Sequence, residues 1–322
     1  MPPSSVSPWL AWVADTLGAR VRALTGSRAN LDEFTRPLGD PGLFGPDSQA
    51  WRVHAHFVAM MVGGLSSLIV QSLHPRALAA VWDHSDFRHQ LKARLGRTAH
   101  FVAATTYGGQ DMAQQAIARV NAIHARIQGV DQAGEPYVAN EPALLRWVHL
   151  AEVSAFLSAY QHLARTPLSP AQADAYVAEM TRVGQALGAT DLPLTWRATQ
   201  AALEAYVPAL RFDARAQEIY RILMAYPADW IDRPLLQLMQ QVALDILPES
   251  MRRILGQPAP CELTAQLRRR ALQVAGEPVQ WMLDHQGVAA IARARVQGQR
   301  LTLSRWPWTS CPSQTMSATD FT

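Results

Sequence analysis

At 322 residues the chain is long enough for one large domain or two average ones, and its 49% hydrophobic content supplies a sizeable core. A mean hydropathy of −0.05 argues against a multi-span membrane protein, and a net charge of +3 spread over scattered basic residues carries no nucleic-acid footprint. Two cysteines, Cys261 and Cys311, with no CxxC pair, exclude a zinc knuckle and argue against a disulfide scaffold.

The first stretch, "MPPSSVSPWLAWVADTLGARVRAL", lacks a basic start followed by a continuous apolar run, so it reads as an amphipathic helix rather than a secretory signal. Residues 1–44 are expected to form a helical extension. Next comes "HAH" at His54–His56, whose two imidazoles point to different sides of a helix and make a poor metal pair. The uncharged segment Phe57 to Leu73 touches the lower limit for a membrane span, but its glycines, serines and glutamine favour a buried central helix. No integral span is expected, peripheral contact with a membrane stays open, and the location expected is cytoplasmic. "HSD" at His84–Asp86 matches part of a two-histidine, one-carboxylate iron site, but the familiar examples lie on β-sandwiches and this chain reads as helical.

Two adjacent helices then concentrate the unusual residues. In "ARLGRTAHF", Arg94, Thr98 and Phe101 fall close to one line at helical spacing, with Arg97 beside them. Such a face suits a flat cofactor with carboxylates at its edge, or equally a surface helix with snorkelling arginines. Lys92 is the only lysine, so almost every cation is a planar fork suited to carboxylates or phosphates. On a helix expected from about Met112 to Gln128, His124 shares a face with Ala113, Ala116, Ile117, Val120 and Ile127. That imidazole is either a neutral core histidine satisfied by a backbone carbonyl or an axial ligand to haem iron.

Helical patterns continue through Leu144–Leu163, through "LSPAQADAYVAEMTRVGQALG" with a Ser169 cap, Pro170 at the first helical position and a stop at Gly188, and through "TWRATQAALEAYVPAL" and "DRPLLQLMQQVALDIL". Loops are expected at 36–48, 129–142, 188–193 and 255–263. The cluster "LRRRAL" at Leu267–Leu272 reads as a solvated helix face. Residues 256–302 are expected to add C-terminal helices to the same domain, and 303–322 to form a tail that is loose or docks by its aromatics, Trp306 and Trp308. Runs of strictly alternating β-branched residues are absent, which leaves an all-α, single large helical domain. There is no GxGxxG after a strand, no GxxxxGK[ST], no GxSxG, no HExxH and no pair of ExxH motifs.

"LIVQSLHPRALAAVWDHSDF", "RLGRTAHFVAATTYG", "RVNAIHARIQG" and "GEPYVANEPALLRWVHLAEVSAF" follow one another in this order, with "LSPAQADAYVAEM" after them. Together, over residues 45–255, they resemble the MpaB-type oxygenase family, the rubber oxygenase catalytic domain. The resemblance implies a globin-reminiscent helical fold with haem b between helices, and oxidative C=C cleavage of an isoprenoid by O₂. It implies His124 as the haem-iron ligand, and Arg94 and Thr98 as the pair on the distal side. Arg97 stands where rubber-cleaving members carry a lysine, and an arginine stays protonated and is a poor iron ligand. Those members also carry a glutamate upstream of the threonine, where this chain reads "HPRALAAV" with no carboxylate until Asp83. His74, Arg76 and His149 lie inside the shared motifs without an assigned role.

The expected function is therefore a haem b oxygenase taking O₂ and an apolar, unsaturated small molecule. Arg94, Arg97 and Thr98 are the catalytic candidates; His124, Arg94, Phe101 and Val120 are expected to hold the cofactor. The alternatives are a haem enzyme of another type, peroxidase-like or a biosynthetic isomerase, and a non-catalytic haem-binding helical protein.

Overall fold

The computed structural model describes residues 30–226 and 229–299; the expected extension up to residue 29 and the tail from 303 lie outside them. Helices form where the sequence supplies caps. Ser48, His56 and His74 each turn a side chain back onto the first turn of the helix that follows: α1 (Gln49–His54), α2 (Phe57–Gln71) and α3 (Pro75–His84). Two long helices follow, α4 (Phe87–Tyr107) and α5 (Gln110–His124), joined by Gly108 and Gly109. Between α5 and α6 (Pro142–Leu163) a short hairpin intervenes, β1 (Gln128–Val130) antiparallel to β2 (Pro136–Val138), with Gly129 opposite Tyr137.

Ser169 opens α7 (Pro170–Ala186) with a capping box to Gln172, and Gly188 ends it at φ +101°. The remaining helices are α8 (Trp196–Glu204), α9 (Ala214–Met224), α10 (Arg233–Asp245), α11 (Glu249–Ile254), α12 (Glu262–Gln286) and α13 (Val288–Val296). The fold is all-α, as expected.

At its centre α2 lies against α6. Val58, Ala59, Val62, Ile69 and Val70 of α2 are buried, as are Trp147, Leu150, Val153, Phe156 and Leu157 of α6. Burying each such side chain stabilises by roughly 1.5–3 kcal/mol. Gly63 lets the two backbones meet, because a Cβ there would stand 2.8 Å from Phe156 Cδ1 and 2.9 Å from its Cα. Packing of α10 and α12 covers α2, so the segment from Phe57 is the buried central helix the composition indicated. Among the described residues no single helix is long and apolar enough to cross a membrane; α2 and α3 reach that composition only as a pair bent by 103°.

Three expectations are corrected. The helix carrying His124 runs from Gln110 and stops at His124 itself, because Ala125 and Arg126 turn into the hairpin. The expected loop at 129–142 contains β2 and most of β1, pinned by Tyr137 packed under α3. In the "LRRRAL" cluster only part of the face is solvated: Arg268 is ion-paired at 3.0 Å to the buried carboxylate of Asp245, and Arg269 binds Glu262 at 2.8 Å.

Candidate functional site

Helices α4 and α5 pack on each other from the Gly108–Gly109 turn outward. Arg94 precedes that turn by nearly as many residues as His124 follows it, so both stand at the far end of the pair. Asn121, one turn before His124, donates to the Ala186 carbonyl at 3.0 Å and ties this end of α5 to the C-terminus of α7. The other flank is tied to the hairpin. Arg76 grips Glu141 through both guanidinium nitrogens and the Pro136 carbonyl at 2.8 Å, and Tyr137 donates to Asp83 at 2.8 Å. Arg76 is thus a strut between α3 and the start of α6. His74 caps α3 with its ring near Trp147 and Tyr206.

His124 is half-buried, not a core residue, and beside it Ile123 is 52% exposed. Its Nδ1 is buried without a hydrogen-bond partner, and desolvation holds the ring's pKa below the ordinary histidine value. The backbone-carbonyl bond expected of a satisfied core histidine is not made here. A neutral imidazole is the form that can act as a metal ligand. Of the other expected residues, Phe101 and Val120 are half-buried, and Ala113 and Ile117 hold α5 to the core.

Arg94 is half-buried and donates to Ser85 Oγ at 2.6 Å. Burial first, and then the neighbouring Arg97 charge, weaken its hold on its proton, yet a guanidinium stays charged. Arg97 and Thr98 are exposed, and the Thr98 hydroxyl bonds back to the Arg94 carbonyl at 3.3 Å. The structure therefore gathers Arg94, Phe101, Val120 and His124 on two paired helices and leaves Arg97 and Thr98 on the rim.

The two histidine motifs are structural. His54 is fully buried between Thr106 Oγ1 at 2.7 Å and Tyr176 Oη at 3.1 Å, with desolvation depressing its pKa to about 3, while His56 caps α2. His84 meets the Gln128 carbonyl at 3.2 Å, and Asp86 bonds His89. Among the described residues no cluster of three histidines, cysteines or carboxylates is placed to hold a metal ion.

One group went unnoticed in the sequence. Glu152, the only carboxylate of α6, is ringed by protein, and desolvation pushes its pKa up to about 7. His149, one turn earlier, is equally enclosed and driven down to about 4. Its ring occupies space that Gly184 of α7 leaves open, where a Cβ would lie 2.7 Å from Nδ1. A single carboxylate in a 22-residue helix most of whose residues are buried was the available signal.

The chain is thus an all-α protein with a desolvated imidazole and a half-buried guanidinium on two paired helices, and an enzyme class for it comes from the family its sequence matches. Residues 51–281 match the family described as ER-bound oxygenase mpaB/B'/Rubber oxygenase, catalytic domain, and the chain belongs to that family. Its general activity is that of an oxygenase, an oxidoreductase using O₂ and a small molecule. No curated protein and no solved structure matches it.

Proposed function

We propose that this oxygenase depends on haem b, with His124 as the axial ligand, and that it cleaves a C=C bond of an apolar, unsaturated lipid-like or isoprenoid molecule. The observation that carries the reading is the orphaned, desolvated imidazole of His124 at the end of α5, in a chain of this family. Haem, when bound, would supply the iron at which O₂ is activated. His124 would hold it, kept neutral by desolvation; Phe101 and Val120 would line its faces. Arg94, positioned by Ser85, is a donor for negative charge developing on oxygen, and Thr98 adds a hydroxyl on the next turn. Arg97 contributes a permanent charge and cannot ligate iron as a neutral lysine could.

The test is the visible absorption spectrum of the protein purified with haem supplied, beside His124→Ala. A Soret band in the wild type that is lost or displaced in the variant is the expected result. The absence of any band from both proteins overturns the haem reading. Turnover of an alkene with peroxide but not with O₂ would replace the oxygenase step by a peroxidase-like one.

A further inference from the structure

Helix α12 closes the domain with one face and leaves the other uncovered. Ala265, Leu272, Gly276 and Met282 are buried, α2 and α10 pack against the helix, and Gly276 lets Val58 approach closer than a Cβ would allow. On the opposite side Leu263, Leu267, Ala271, Val274, Pro278 and Trp281 are all exposed, and they follow one another at intervals of three or four residues. Leu263 and Val274 are each 67% exposed, Leu267 61% and Trp281 46%. At about 1.5 Å per residue this makes an apolar line about 27 Å long on the outside of the domain. Single exposed leucines are ordinary, but an aligned row with this spacing is the seam by which one helix packs on another. Charges of both signs border it. Arg270, Glu277 and Asp284 stand at steps of two turns along one edge. Arg270 has no hydrogen bond or ion pair among the described residues, and Glu277 meets only the exposed Arg165. The carboxylates on this rim disfavour an anionic membrane, which attracts basic residues.

We infer that this face of α12 receives a second copy of the chain, the two α12 helices pairing antiparallel about a two-fold axis between Ala271 and Val274. The intervals from Leu267 through Ala271 and Val274 to Pro278 read the same in both directions. A copy turned end for end therefore sets Leu267 against Pro278, Ala271 against Val274 and Trp281 toward Leu263. The small Ala271 beside the axis lets the helices approach. The same operation brings Arg270 of each copy beside Glu277 of the other, so that the ion pair is made twice. A parallel pairing would set Arg270 beside Ala275 instead. The exposed Arg165 contact is no obstacle, since such pairs contribute at most about 1 kcal/mol. One helix face is small beside the roughly 800 Å² per partner of a stable interface, so the dimer is a reversible one. Neither haem nor substrate enters this inference.

Sedimentation of the full-length protein over a range of concentrations tests it. The mass is expected to rise with concentration from the 35.5 kDa monomer toward the dimer. Leu267→Ser and Val274→Ser are each expected to weaken association about tenfold or more. Arg270→Glu and Glu277→Arg each reverse two pairs at once and are expected to weaken it by about the same factor, while the double exchange restores it. Circular dichroism matching wild type shows that these exposed substitutions leave the fold intact. A dimer indifferent to the serine variants, or a double exchange no better than either single reversal, overturns the pairing. A mass that stays at 35.5 kDa overturns it as well. If that monomer binds vesicles of phosphatidylcholine and phosphatidylserine through Leu267 and Val274, the seam faces a membrane. If Val274→Cys in the monomer resists a thiol reagent, another part of the same chain covers it.

Discussion

Replacing Glu152 by glutamine removes one titration from the interior and changes almost nothing else, which makes it a direct test of how the carboxyl is held. Below pH 4.5, the ordinary glutamate value, the carboxyl carries its proton in both the folded and the unfolded chain and contributes no pH-linked difference. As pH rises through 4.5 the unfolded chain releases that proton while the folded chain keeps it, so wild-type stability falls. The loss levels off once the folded carboxyl ionises near pH 7. The gap between 4.5 and about 7, at roughly 1.4 kcal/mol for each factor of ten in proton affinity, amounts to about 3 kcal/mol. Glu152→Gln is accordingly expected to match the wild type in pH-linked stability near pH 4 and to exceed it by about 3 kcal/mol at pH 8. Tyr176, on which the Glu152 charge acts, is common to both proteins, so its own titration cancels to first order in the difference. Urea unfolding of both proteins by circular dichroism, at intervals from pH 4 to pH 8, measures it. A difference that stays constant across this range refutes the reasoning, because Glu152 would then titrate as an ordinary solvated carboxylate.

His149, depressed to about 4 by burial, contributes stability that is fully present above pH 6.5 and is lost as pH falls toward 4. His149→Gln should therefore flatten the acid limb of the same stability profile, and an acid limb superimposable on wild type would show the ring to be solvated. Tyr176→Phe removes the hydroxyl from His54 Nε2 and leaves a fully buried ring nitrogen unpaired, for a cost of about 1–3 kcal/mol in urea unfolding; a change within error would mean this bond is not made. Gly63→Ala drives a methyl into Phe156 and the α6 backbone, and overpacking of this kind costs about 1–3 kcal/mol or more. A variant as stable as wild type would show that α2 and α6 stand further apart.

Local chemistry made much of this protein legible from its sequence. Ser169, Pro170 and Gly188 mark both ends of α7 because caps and a left-handed terminus act within a turn or two, and tertiary context seldom overrides them. The helical period gave Arg94, Thr98 and Phe101 one face and His124 another, and the ordered motifs gave the family. Exposure was another matter. Period alone grouped His124 with Ala113 and Ile117, but α5 ends at His124, which stands half out of the core although its Nδ1 stays buried and unpartnered. The β1–β2 hairpin was likewise invisible, since strands of three residues hold their register through Tyr137 beneath α3 rather than through any pattern of their own. Glu152 is the clearest division between the two levels. The order of residues alone places the one carboxylate of α6 along that helix. Only the packing of α6 among its neighbours decides how strongly that carboxylate is desolvated, because desolvation depends on everything that surrounds the group and not on the residues beside it in the chain.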